Sequence, residues 1–222
     1  RPENPADPAS PDIELRIAVV PALNLNPETD PVVPIAGGPG QGSVEFYAIY
    51  RGAFEPLRRN RDILLIDQRG TGASSRMDCP IDDDALLFQS EFSLDDTLQF
   101  VKDCLEDLPH DPRYFTTSVA VTDLEAVRVA LGYSKLNLYG VSYGTRVAQH
   151  FTRRYPDSTR TVVIDGVVPP QIALGPEIAT ESQMAVDKIL ARCAEDAACN
   201  ERFPDIASTF ARIVAELREE PV

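Results

Sequence analysis

Four short apolar runs, separated by stretches of helical periodicity, constrain this chain more than anything else in it. They are VVPIA (32–36), DILLID (62–67), KLNLYG (135–140) and TVVID (161–165). Runs of this length and character read as buried strands. A helix is expected from Val44 to about Leu57, and a second over VAVTDLEAVRVALG (119–132), closed by Gly132. A third runs from Tyr143 to about Tyr155, where Pro156 ends it. Apolar strands alternating with helices predict an α/β fold: a mostly parallel sheet covered by helices on both faces. IELRIAVVPAL (13–23) adds one or two strands ahead of it.

The remainder divides around this core. Residues 1–12, RPENPADPASPD, are Pro-rich and polar and read as a flexible arm. The core occupies 13–168, with an excursion over 76–117 that holds a helix from about Leu94 to Leu108. Ser93 is its N-cap, with Asp95 and Asp96 in the first turn. From 169 to 222 the strands stop, and helices over roughly 176–196 and 204–219 read as the start of a helical cap. The 222 residues suffice for one sizeable core but not for two ordinary domains.

A net charge of −14 disfavours nucleic acid and anionic membrane surfaces, both of which reward a basic face. No apolar run reaches the ~18 residues of a membrane span, and no signal peptide is visible at the N-terminus. Four cysteines fall into two local pairs, Cys79 with Cys104 and Cys193 with Cys199. An even number permits two disulfides, and free buried thiols are the alternative. Neither pair has zinc spacing or a nearby histidine, so no metal is expected; no other cofactor is called for.

The sharpest local signal is Gly140-Val141-Ser142-Tyr143-Gly144, set between the strand KLNLY and the helix that opens at Tyr143. A serine on so tight a strand-to-helix turn is held strained, with its hydroxyl above the sheet. Glycines two residues to either side prevent clashes with the neighbouring strand and helix. The pattern assigns Ser142 as a nucleophile. Acyl transfer also needs backbone N–H donors for the oxyanion. Tyr143 supplies one, and the loop Gly37-Gly38-Pro39-Gly40 after VVPIA supplies the other, from Gly38 or alternatively Gly37. A dinucleotide loop is the competing reading: Gly38 and Gly40 fit GxGxxG, and the next strand ends in Asp67, but Ser43 stands at the sixth place.

GGPG after a strand, DQRGTGAS (67–74) and GVSYGT (140–145), in that order, resemble the proline iminopeptidase and tripeptidyl-aminopeptidase-like branch of the α/β hydrolases. The resemblance covers roughly residues 13–200. It implies the N-terminal part of an α/β-hydrolase fold, with Ser142 as nucleophile and Gly38 and Tyr143 as oxyanion hole. Gly140, Gly144 and Gly37 would shape the site, as would Asp67 and Arg69. Read from chemistry alone, Arg69 either braces the fold or grips a substrate carboxylate with its planar fork. RMDCP, DCLEDL and RCAEDAACNERFPD resemble the secreted members, which implies both disulfides and a periplasmic or secreted location. Proline iminopeptidases carry HGGPG, whereas Ala36 stands here in place of that histidine.

In this fold the triad follows the chain order Ser, then Asp or Glu, then His. His150 lies eight residues beyond Ser142 on the same helix, roughly 12 Å along its axis, and His110 precedes the nucleophile. Neither can serve as base. Asp165, at a strand end, is either a triad acid or a brace at the start of the cap. The base is therefore expected outside these residues, in a C-terminal half that would act as the chain's partner. The TVVID strand is expected to present an apolar edge.

The implied activity is an exported aminopeptidase working through an acyl-enzyme, with peptide or small ester as substrate. Glu177 and Glu181 are candidate anchors for the free amine. A carboxylesterase is the alternative within the same chemistry. A non-catalytic α/β binding module is the alternative outside it, favoured by the lack of a base.

Overall fold

In the computed structural model, residues 1–7, 9–79, 93–173 and 175–221 are described. The four apolar runs form β2 (Val32–Ile35), β3 (Ile63–Ile66), β4 (Leu136–Val141) and β5 (Thr159–Asp165), preceded by β1 (Ile17–Val20). The sheet order is β1-β3-β2-β4-β5. β2, β3, β4 and β5 pair in parallel, as the alternation with helices requires. β1 joins antiparallel to β3, with Ile17 opposite Ile66. An antiparallel edge strand on an otherwise parallel sheet is common.

Successive strand residues point to opposite faces, and each face finds its own helices. On one, Phe46, Tyr47 and Phe54 of α1 (Ser43–Arg58) pack with Val32, Ile63 and Leu65. On the other, α3 (Thr117–Ala130) and α4 (Tyr143–Arg154) cover Val33, Ile35, Leu64, Leu136 and Leu138. Val121, Leu124 and Val127 of α3 keep helical spacing, as do Val147, Ala148 and Phe151 of α4, so each helix buries one stripe. β5 forms an edge of the sheet, and Val162, Val163 and Ile164 are exposed there, an apolar edge of the kind the sequence predicts.

The first residues are not a flexible arm. The Arg1 amine donates to the Ile13 carbonyl at 3.0 Å, and Glu3 N–H donates to the Pro11 carbonyl at 2.8 Å. Glu3 is buried, and its carboxylate accepts from Asp111 N–H at 3.2 Å and lies 2.8 Å from His110 Nδ1. The physical reason lies in the core. The buried Arg69 guanidinium needs acceptors, and the Pro2 and Glu3 carbonyls are among those it uses. A polar, proline-rich composition conceals that demand.

Within the excursion, residues 80–92 lie outside the described residues. The expected helix is present as α2 (Leu94–Asp107), with Ser93 and Asp96 forming a reciprocal capping box. Cys79–Cys104 ties it to the stretch that follows the DQRGTGAS loop, five residues beyond Ser74. Contacts divide the chain into two units, Arg1–Pro170 and Gln171–Val222. The second holds α5 (Ile178–Glu195), α6 (Ala197–Arg202) and α7 (Ile206–Glu219). The helices expected over roughly 176–196 and 204–219 are α5 and α7; between them lies the additional α6, which Asp196 caps by accepting from Cys199 N–H at 2.8 Å. Cys193–Cys199 closes the same corner. Among the described residues no helix is long and apolar enough to cross a membrane.

Candidate active site

Ser142 stands between β4 and α4 with φ 52° and ψ −121°, a conformation that non-glycine residues rarely adopt. Three hydrogen bonds hold it there. Its N–H donates to the Asp165 carbonyl at 2.8 Å, so the neighbouring strand β5 grips one side. Its carbonyl accepts from Thr145 N–H at 3.0 Å and from Thr145 Oγ1 at 2.6 Å. Ser142 itself is exposed, while Gly144 and Thr145 directly behind it are buried.

The flanking glycines are there because backbone occupies the space a side chain would need. A Cβ on Gly144 would collide with the Ile35 carbonyl oxygen and lie 2.8 Å from that of Ala36. One on Gly140 would lie 2.7 Å from the Gly144 carbonyl carbon. Backbone atoms of a central strand cannot move aside as a flexible side chain can. Gly144→Ala is therefore expected to lower stability by about 2–3 kcal/mol through overpacking, read as a lower urea midpoint. An unchanged midpoint would contradict this close approach.

β2 runs beside β4, with Ile35 paired to Gly140, and so delivers the glycine loop to the elbow. Gly37 is buried against Ser142: a Cβ on it would lie 3.0 Å from Ser142 Cβ and 3.5 Å from Oγ. Gly38 follows at φ 107°, where glycine is needed, and precedes a cis bond to Pro39. Tyr143 is the first residue of α4, so its N–H belongs to the unpaired first turn at the positive end of the helix dipole. Its hydroxyl lies 2.5 Å from Thr117 Oγ1 at the start of α3.

Asp67 and Arg69 are structural supports of the neighbouring loop. The buried Asp67 carboxylate accepts from Val44 N–H at 3.0 Å, fastening the start of α1, and from Ala73 N–H at 3.2 Å. Arg69 places Nε 2.6 Å from Asp123 Oδ2 and Nη2 2.9 Å from Oδ1, while Nη1 donates to the Glu3 and Tyr114 carbonyls. The fork that would grip a substrate carboxylate already holds Asp123. Sequence reasoning missed Asp123, although an acid on the apolar face of VAVTDLEAV signals a buried partner.

Asp165 spends its carboxylate on the Tyr139 hydroxyl, which donates at 3.0 Å. That bond, and then burial, raise the Tyr139 phenol above its ordinary value. His110 sits between Glu3 and the Phe115 ring. Burial, with Arg153 and Arg154 adding to it, pushes His150 below the usual imidazole value. The structure thus brings Gly37, Ser142 and Tyr143 together and leaves both histidines elsewhere. In the second unit Glu177 and Glu181 line a cavity of about 300 Å³ with Ile172, Ala173 and Ile178.

Residues 30–199 match the alpha/beta hydrolase fold family. The chain is 34% identical over 140 residues to YuaR of Escherichia coli, covering 62% of this chain and 28% of that protein. It is 30% identical over 181 residues to serine protease Hip1 of Mycobacterium tuberculosis, covering 73% and 35% respectively. To the tripeptidyl aminopeptidase of Streptomyces lividans it is 28% identical over 150 residues, covering 60% and 28%. The chain thus spans about a third of these relatives' length.

Proposed function

Because this chain belongs to the α/β-hydrolase fold family, we propose that it carries the nucleophile half of a serine hydrolase that cleaves peptides from their N-termini. The observation that carries the reading is Ser142: exposed, held at φ 52°, heading α4, with the Gly37 backbone against its side chain. Ser142 Oγ attacks the scissile carbonyl as its proton passes to a base. The tetrahedral oxyanion is bound by Tyr143 N–H and by Gly38 N–H, with Gly37 N–H the alternative donor. Collapse expels the amine and leaves an acyl group on Ser142, which water then removes.

His110 lies against Glu3 and the Phe115 ring, and His150 is eight residues beyond Ser142 on α4. Neither is therefore assigned as the base, and base and acid are expected elsewhere in the full-length protein. The aminopeptidase reading draws on the motif resemblance and on the names of the relatives. A cleaved N-terminal segment carries a free ammonium group, which calls for an acidic anchor; Glu177 and Glu181 are the candidates read from the sequence. Cys79–Cys104 and Cys193–Cys199 favour an oxidising location, periplasmic or secreted.

The test is a substrate panel on the full-length protein. Tripeptide and aminoacyl anilides with free N-termini are expected to be hydrolysed. Acetylating the amine should lower kcat/KM about tenfold or more, the effect of losing one hydrogen bond between charged groups. Hydrolysis of short acyl esters alone would replace the peptidase reading with a carboxylesterase. No turnover together with no fluorophosphonate labelling would leave a non-catalytic binding module.

A further inference from the structure

Thr145 is wholly buried, and its hydroxyl works in both directions. Oγ1 donates to the Ser142 carbonyl at 2.6 Å and accepts from Val168 N–H at 2.8 Å. The second bond reaches the chain that leaves β5, the strand whose Asp165 carbonyl already holds Ser142 N–H. Other α4 side chains fasten the same stretch. Gln149 Nε2 donates to the Thr145 carbonyl at 3.0 Å and to that of Val168 at 3.3 Å, and Arg146 Nη2 donates to the Pro169 carbonyl at 2.9 Å. One buried hydroxyl thus joins the carbonyl of the strained serine to the strand exit that grips its N–H.

We propose that Thr145 is a positioning residue. Its hydroxyl keeps the Ser142 backbone in its strained conformation, and so aims Oγ, by locking the elbow to residues 165–168. The inference rests on Ser142 being the nucleophile. A positive-φ serine persists only where its surroundings over-determine it. Two bonds fix the Ser142 carbonyl, and both come from Thr145. Valine has the shape of threonine without the hydroxyl. In its place Val168 N–H loses its partner and the Ser142 carbonyl keeps only one donor, so the elbow can relax and Oγ can shift. Misplacement of a reacting atom by about 1 Å can cost 10²-fold in rate.

The test uses the full-length protein with a fluorophosphonate probe and a hydrolysed substrate. Thr145→Val should slow labelling of folded protein roughly 10- to 100-fold. It should lower kcat by a like factor while KM stays within about twofold, because a change confined to the nucleophile acts on the chemical step. Thr145→Ser keeps the hydroxyl and should restore most of the rate. A purely structural threonine would instead lower the melting temperature and leave labelling per folded molecule unchanged, and that result overturns the proposal. So does a serine variant as slow as the valine one. Should the valine variant not fold, Thr145→Ala, which removes the hydroxyl and adds no bulk, is read in the same way; wild-type labelling there also overturns it. Ser142→Ala separates the two claims. Labelling that survives it removes the nucleophile assignment itself, whereas labelling that needs Ser142 but ignores Thr145 removes only the positioning role.

Discussion

Replacing Ser142 with alanine in the full-length protein is expected to abolish fluorophosphonate labelling and to lower kcat/KM by roughly 10⁴-fold or more. Alanine removes Oγ, so no acyl-enzyme can form, while the backbone donors of Tyr143 and the glycine loop remain. Whatever rate persists measures those donors and binding alone. The fold should not suffer, because alanine keeps the Cβ and therefore meets the same positive-φ penalty as serine. Ser142→Gly supplies the control on strain. Glycine adopts φ 52° freely, so this variant should be more stable than Ser142→Ala by about 1 kcal/mol, less what glycine loses through its freer unfolded chain. Labelling retained in Ser142→Ala would remove the nucleophile assignment and everything built on it.

The elbow was legible because its chemistry is local. A glycine two residues either side of a serine, with a strand before and a helix after, leaves few other conformations for residues 140–144. The four parallel strands were legible for a related reason. The buried β2, β3 and β4 expose neither face, so their apolar runs stand out between amphipathic helices, and β5 carries a like run although most of its residues are exposed. The N-cap at Ser93, with Asp95 and Asp96 in the first turn, is legible from equally short-range rules.

What escaped depends on partners distant in sequence. Residues 1–12 have the composition of a flexible arm, yet their carbonyls and Glu3 are drawn in by Arg69 and His110, some 66 to 107 residues away. From the sequence alone Arg69 reads as brace or substrate clamp, because Asp123, which fills its fork, lies 54 residues on. Thr145 closed the GVSYGT motif in plain view. Its role needs Val168, and no periodicity links the two. The direction of β1 was likewise open, since an apolar run fixes burial but not the sense of its pairing.

Asp123→Ala is expected to cost about 3–5 kcal/mol of stability, the largest loss foreseen for a single side chain outside the elbow. The side chains of Arg69 and Asp123 are 1% and 3% exposed. Truncating the acid therefore strands a guanidinium in the interior, with only the Glu3 and Tyr114 carbonyls and the weaker Pro2 contact left to it. Arg1 Nε also loses an acceptor at 3.1 Å, so the N-terminal segment should loosen as well. The loss measures an unpaired buried charge, not the net worth of the ion pair. The double variant Arg69→Met with Asp123→Leu exposes that difference. It buries no charge, so it should be more stable than Asp123→Ala alone, and the non-additivity should show in a double-mutant cycle of urea midpoints. If Asp123→Ala instead unfolds at the wild-type midpoint, the Arg69 clamp does not fasten residues 1–12 and the 67–74 loop to the core, and the order of the N-terminal segment needs another cause.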